Sequence, residues 1–188
     1  MRSPPRSATA ACRCWRDAPE GGGLPVWFYG LAGAVVVLDQ TTKLLVERAF
    51  RLGESVAILP GFFNLTYVLN PGAAFGLFAG AAAAFRGPFF ITISLLAVVL
   101  ISYYHARYAR GRPLAVVGLG LILGGAAGNL IDRLRVGMVV DFLDFHVGGY
   151  HWPAFNVADS GITIGVGLLL LQMLRERKDD GQGATGAP

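Results

Sequence analysis

Charge is scarce in this chain. Of its 188 residues only 15% are Asp, Glu, Lys or Arg, where soluble domains run nearer a quarter. With 54% hydrophobic residues and a mean hydropathy of +0.52, the apolar content points to a bilayer rather than to a large soluble core. Cysteine is nearly absent. Cys12 and Cys14 form a lone C-x-C in a polar leader, a weak metal or redox signal with so few partners. Histidine is limited to His105, His146 and His151. His146 and His151 flank an aromatic stretch at a spacing that matches no helical zinc motif, and His105 reads as an interfacial residue. No serine sits in a nucleophile elbow, and Ser160 lacks a His-Asp set. No glycine-rich phosphate loop follows a strand. These gaps argue against serine, zinc and nucleotide chemistry. The net charge of +4 falls in short clusters between apolar runs, so it reads as orientation in a membrane and not as affinity for nucleic acid.

What is present is length without charge. Apolar stretches at about 25–46, 88–104, 114–134 and 158–174 are each long enough, or nearly so, to cross roughly 30 Å of hydrocarbon as a helix. Pro88 suits the first turn of the second stretch, and Tyr103 and Tyr104 suit an aromatic belt. The glycines from Gly118 to Gly128 in the third allow close helix packing. Between the first two stretches, Val56–Val68 is rich in β-branched and aromatic residues and predicts short strands. The expected fold is an all-α membrane protein of four transmembrane helices with a small strand-containing lobe on the outer face. A basic disordered tail over 1–23 precedes the membrane domain over 24–176, and a polar disordered tail over 177–188 follows it. The basic clusters lie in the leader, in Arg107–Arg112 and after Leu174. With four spans these share one side, which the positive-inside rule makes cytoplasmic.

On that topology Asp39, Asn70, Asn129, Asp141, Asn156 and Asp159 all fall at the outer boundary. Random scatter would not gather the polar span residues at one end. Asp141 and Asp159 border the stretch VVDFLDFHVGGYHWPAFNVADSGI, which reads as a short aromatic-rich loop between two spans. Neither has a cation beside it in sequence. Carboxylates at a membrane boundary invite a functional explanation. Two that approach each other share a proton, one serving as base and one as acid. The plainer reading is that Asp159 caps the last helix. Asp144, three residues after Asp141, is expected to face water or a loop amide. Asp39 and Lys43, four apart on one helix face, form an ion pair or shape a nearby site. Asn70 either grips a peptide backbone or holds its own turn. Gly72 permits close backbone approach. Asp132 reads as a charge-paired helix terminus, and Arg133 reaches a substrate carbonyl or holds the loop. A proton-coupled transporter and a structural assembly subunit are the competing classes.

The blocks Asp39-Gln40-Thr41-Thr42-Lys43, Asn70-Pro71-Gly72-Ala73-Ala74-Phe75-Gly76, Gly124 to Arg133, Val140-Asp141-Phe142 and Phe155-Asn156-Val157-Ala158-Asp159 occur in that order between Trp27 and Leu174. Together they resemble the bacterial lipoprotein signal peptidases, or signal peptidase II. The resemblance implies a four-helix aspartyl endopeptidase of the bacterial inner membrane with no metal; the charge pattern places both termini in the cytoplasm, no cofactor is expected, and a monomer is expected. It would remove the signal peptide of a prolipoprotein just before the diacylglyceryl-modified cysteine, at the outer leaflet boundary. It places the catalytic aspartates at Asp141 and Asp159. Supporting or substrate-contacting roles fall on Asp39, Lys43, Asn70, Gly72, Asn129, Arg133 and Asn156. It also implies inhibition by globomycin.

Overall fold

Apolar length sets the helices, and alternation sets the strands. The computed structural model of the chain describes residues 26–72, 82–108 and 112–184. Its elements run α1 (Val26–Ala49), β1 (Ser55–Leu59), β2 (Phe63–Asn70), α2 (Ala83–Tyr108), α3 (Pro113–Val136), β3 (Val139–Val147), β4 (Tyr150–His151) and α4 (Val157–Ala184). The polar leader with Cys12 and Cys14, and the Ala73–Gly76 part of the turn block, lie outside the described residues.

α3 is the hub and packs against α1, α2 and α4. Its glycines make the approach possible. A Cβ built on Gly124 would lie 2.6 Å from the Ala32 carbonyl oxygen of α1, and one on Gly125 would lie 2.4 Å from the Ala158 carbonyl oxygen of α4. At these positions only hydrogen fits, so backbones touch where side chains would hold them apart. Phe28, Ala32, Val116, Leu119 and Leu123 fill the centre of the bundle. The outward faces stay apolar: Ile93, Leu96, Val99 and Leu100 of α2 and Ile164, Leu170, Met173 and Leu174 of α4 are exposed, as suits helices solvated by lipid. α2, α3 and α4 are each long and apolar enough to cross a membrane. α1 matches α3 in length but carries Asp39, Gln40, Lys43 and Glu47 along it.

Several boundaries differ from the sequence-based expectation. α2 starts five residues before Pro88, which therefore lies inside the helix and not in its first turn. α4 continues through Ala184, where a disordered tail from residue 177 was expected. Lys, Arg, Glu and Gln sustain a helix well past the apolar run, and a Gln172–Glu176 hydrogen bond of 2.8 Å supports that part.

The larger correction concerns 139–156. It is not a loop but a strand pair, and it completes the lobe. The four strands form one antiparallel sheet in the order β1-β2-β3-β4. Gly137, at φ 76°, caps α3 by donating its N–H to the Arg133 carbonyl, a conformation that glycine adopts without strain. The chain then enters β3 within two residues. Val68 pairs with Asp141 and Asn64 with Asp144, with a register shift between Leu65 and Val68. That bulge lies beside Asp141, a common place for one next to a functional site.

His105 turns into the bundle. It is 1% exposed and lies flat on the Phe28 ring at 3.6 Å. Burial on an aromatic face lets an imidazole behave as an apolar plate.

Candidate active site

The sheet and the bundle meet at the end of α3, and there the polar residues converge. Asp141 comes from β3, Asp159 from the first turn of α4, Asn129 and Arg133 from the last turns of α3, and Asn70 and Gly72 from the end of β2 and its turn. All six line one cavity of about 760 Å³. Asp39, Lys43 and Asn156 lie behind its wall, each fully buried.

Asn156 joins the two acids. Its amide nitrogen donates to Asp141 Oδ1 at 2.7 Å, while its side-chain oxygen accepts the Asp159 backbone N–H at 2.9 Å. The second contact is an N-cap. The cap of α4 is therefore Asn156 and not Asp159, which frees the Asp159 carboxylate for the cavity. Asn129 donates to Asp159 Oδ1 at 2.8 Å. Asn70 donates to Asp141 Oδ2 at 3.0 Å and accepts the Gly72 N–H at 2.9 Å. It thus holds its own turn and grips an acid at the same time. Arg133 donates to the Gly72 carbonyl at 3.3 Å and lies 5.0 Å from the centre of the Phe90 ring, so it holds the turn against α2 and α3.

Burial pushes the Asp141 carboxyl up, and the neighbouring Asp159 adds to it. The amides of Asn70 and Asn156 pull the other way but do not cancel the effect, and the pKa rises from 3.8 to about 7. Desolvation and a like charge both disfavour the ionised form. Asp144 behaves oppositely. It does not face water: it is 8% exposed, held by Asn64 at 3.0 Å and by His151 at 2.9 Å. Burial raises its pKa, but the bonds from His151 and Asn64 outweigh that and leave it lowered. Its odd spacing from Asp141 along β3 turns it to the other face of the sheet.

Asp39 and Lys43 form the expected pair at 2.9 Å. Asp132 is charge-paired too, closely through Lys43 at 2.8 Å and more loosely through Arg135 at 3.8 Å, and not through Arg133. Some cavity residues escaped the sequence reading. Trp152 to Phe155 build one wall, and Ser160 and Thr163 continue the α4 face beyond Asp159. For Thr163 the signal was available, since residues three and four after Asp159 share its side of a helix. Among the described residues, no group of three or more His, Cys, Asp or Glu is placed to share a metal ion.

Apolar helices around a cavity that holds two carboxylates define an integral membrane protein. Residues 31–175 match the family model for signal peptidase (SPase) II. A lipoprotein signal peptidase of Syntrophus aciditrophicus is 49% identical over 154 residues, covering 82% of this chain and 96% of that protein. One from Paraburkholderia phymatum is 50% identical over 157 residues, covering 84% and 92%. A bacterial membrane enzyme solved in meso at 2.3 Å resolution superposes with a TM-score of 0.75 at 34% identity, covering 82% of this chain and 92% of that one. The chain belongs to the signal peptidase II family, the membrane proteases of lipoprotein processing. Membership sets aside both the transporter and the assembly-subunit readings.

Proposed function

We propose that this chain is an aspartic endopeptidase that cleaves the signal peptide from prolipoproteins immediately before a diacylglyceryl-modified cysteine. The observation that carries the reading is the pair of acids, Asp141 and Asp159, lining one cavity and joined through the Asn156 side chain. Asp141, with a pKa of about 7, holds the shared proton at rest and Asp159 is the ionised partner. Asp159 takes a proton from a water as its oxygen attacks the scissile carbonyl carbon. Asp141 donates its proton to the carbonyl oxygen, giving a neutral gem-diol. Proton return from Asp159 to the amide nitrogen lets the C–N bond break, and Asp141 recovers its proton as the new carboxyl forms. The products are the signal peptide with a free carboxyl group and the lipoprotein with a free α-amine on its modified cysteine.

All four helices cross the membrane in this reading. The polar end of α1 is tolerated because Asp39 and Lys43 are buried against α3 and paired. The basic clusters then lie on the cytoplasmic side of the bacterial inner membrane with both termini, and the sheet lies at the outer boundary. Val68, Leu69, Ile162 and Ile164 give the cavity an apolar wall suited to the substrate's lipid. In this reading the enzyme acts as a monomer, and globomycin blocks it by occupying the same cavity.

The test is cleavage by purified enzyme of a prolipoprotein with and without the diacylglyceryl group. The lipidated precursor should be cut with the modified cysteine as the new N-terminus, with the bare precursor spared. Equal cutting of both, or cutting at another bond, contradicts the reading.

A further inference from the structure

Lys43 has three N–H donors, and each finds one acceptor: Asp39 Oδ2 at 2.9 Å, Asp132 Oδ2 at 2.8 Å and Asn129 Oδ1 at 3.0 Å. Each acceptor leads one step further to a catalytic acid. Asn129 bonds Asp159 Oδ1 directly. Asp39 Oδ1 accepts the backbone N–H of Ala158, the residue before Asp159, at 2.9 Å. Asp132 Oδ2 accepts the backbone N–H of Val140, the residue before Asp141, at 3.1 Å. Gln40 ties the two buried carboxylates together, donating to Asp39 Oδ2 at 3.1 Å and to Asp132 Oδ1 at 3.0 Å. Asp39, Lys43 and Asp132 are all 0% exposed.

We propose that Asp132 is a positioning residue for Asp141, the counterpart of Asp39 for Asp159, and that Lys43 between them fixes the separation of the two catalytic acids. This rests on the reading of Asp141 and Asp159 as the catalytic pair. A salt bridge buried only for stability has no need to end on the backbone at the residue before each acid. The cluster keeps two anionic side chains against one buried ammonium, an arrangement of weak value for stability, yet it couples a strand of the sheet to α4 through one point on α1. Without the Asp132 oxygen, Val140 loses the bond that ties the start of β3 to α3, and Asp141 can shift relative to Asp159.

The test compares Asp132→Asn with Asp132→Ala in the full-length enzyme, with rates expressed per folded molecule. Asn keeps an oxygen for Val140 and Lys43 and gives up only the Gln40 contact to Oδ1. Ala keeps nothing. Misplacement of a catalytic group by about 1 Å costs on the order of 100-fold in rate. Asp132→Ala should therefore lose about that much in kcat with KM little changed, and Asp132→Asn should recover most of it. Three results would overturn the inference: wild-type kcat for both variants, an equal loss of kcat in both, or a change confined to KM or to the yield of folded protein. Should Asp132→Ala fail to fold, Asp132→Ser takes its place, since the shorter side chain withdraws its oxygen from Val140. Asp141→Asn is measured alongside. If it retains activity, the catalytic reading itself fails; if it is inactive while Asp132→Ala turns over normally, only the positioning role fails.

Discussion

Asp141 and Asp144 lie three residues apart on one strand, and their pKa values shift in opposite directions. Burial is the largest cause at Asp141 and is outweighed at Asp144, and the partners add to the difference. Asp144 has an imidazole and an amide, while Asp141 has two amides and a second acid. Stability follows with a definite sign. Between 3.8 and about 7 the folded state keeps a proton on Asp141 that the unfolded chain has released, so stability falls as pH rises through that window. At pH 8 the cost of the buried charge is fully present. Asp141→Asn should then melt higher than the wild type at pH 8, by about 1–3 kcal/mol, with the gap closing toward pH 4. Thermal melts in detergent at the two pH values check this. Asn70 acts on the same carboxyl, and its amide favours the ionised form. Asn70→Ala should lower kcat by about 10–100-fold, the worth of a hydrogen bond to a charged group. It should also move the alkaline limb of the pH–rate profile upward, because Asp141 then holds its proton to higher pH.

Helix packing shows what was and was not legible in the sequence. The glycine-rich run of α3 announced close packing, and the polar residues at one end of each span announced a site there. The strand character of β3 was hidden. Val139-Val140 and Phe142-Leu143 are apolar doublets that break simple alternation, because β3 is buried on both faces at that point and opens to the surface only toward Val147. Asp132 was hidden for another reason. Its closest partners, Lys43 and Val140, come from another helix and from the strand beyond the α3 cap, whereas Arg135, near it in sequence, pairs more loosely at 3.8 Å. The packing claim has its own test. Gly125→Ala places a methyl group against the Ala158 carbonyl and the Ile162 side chain, whereas a Cβ at Gly167 meets nothing within 4 Å. Gly125→Ala should destabilise by about 1–3 kcal/mol, as overpacking does, and Gly167→Ala should leave the melting temperature within experimental error.

The whole molecule is a bundle of apolar helices with its buried polar residues gathered at one end. Its orientation can be read with single cysteines in a chain whose Cys12 and Cys14 are changed to Ser. Tyr150→Cys, on the exposed β4, should react with a membrane-impermeant maleimide in intact spheroplasts. Arg112→Cys, at the start of α3, should react only after the membrane is opened. The reverse pattern would invert the topology. The central claim is that Asp141 and Asp159 together activate one water. Its most direct test is the single-turnover rate on a diacylglyceryl-modified prolipoprotein for Asp141→Asn, Asp159→Asn and Asp144→Asn, each shown to be folded. The first two should fall by about 1,000-fold or more, as loss of a general acid or base does, and the third should stay within about tenfold of the wild type, since Asn keeps an acceptor for His151. Substantial turnover by either of the first two, or a loss in Asp144→Asn as deep as theirs, would contradict the account.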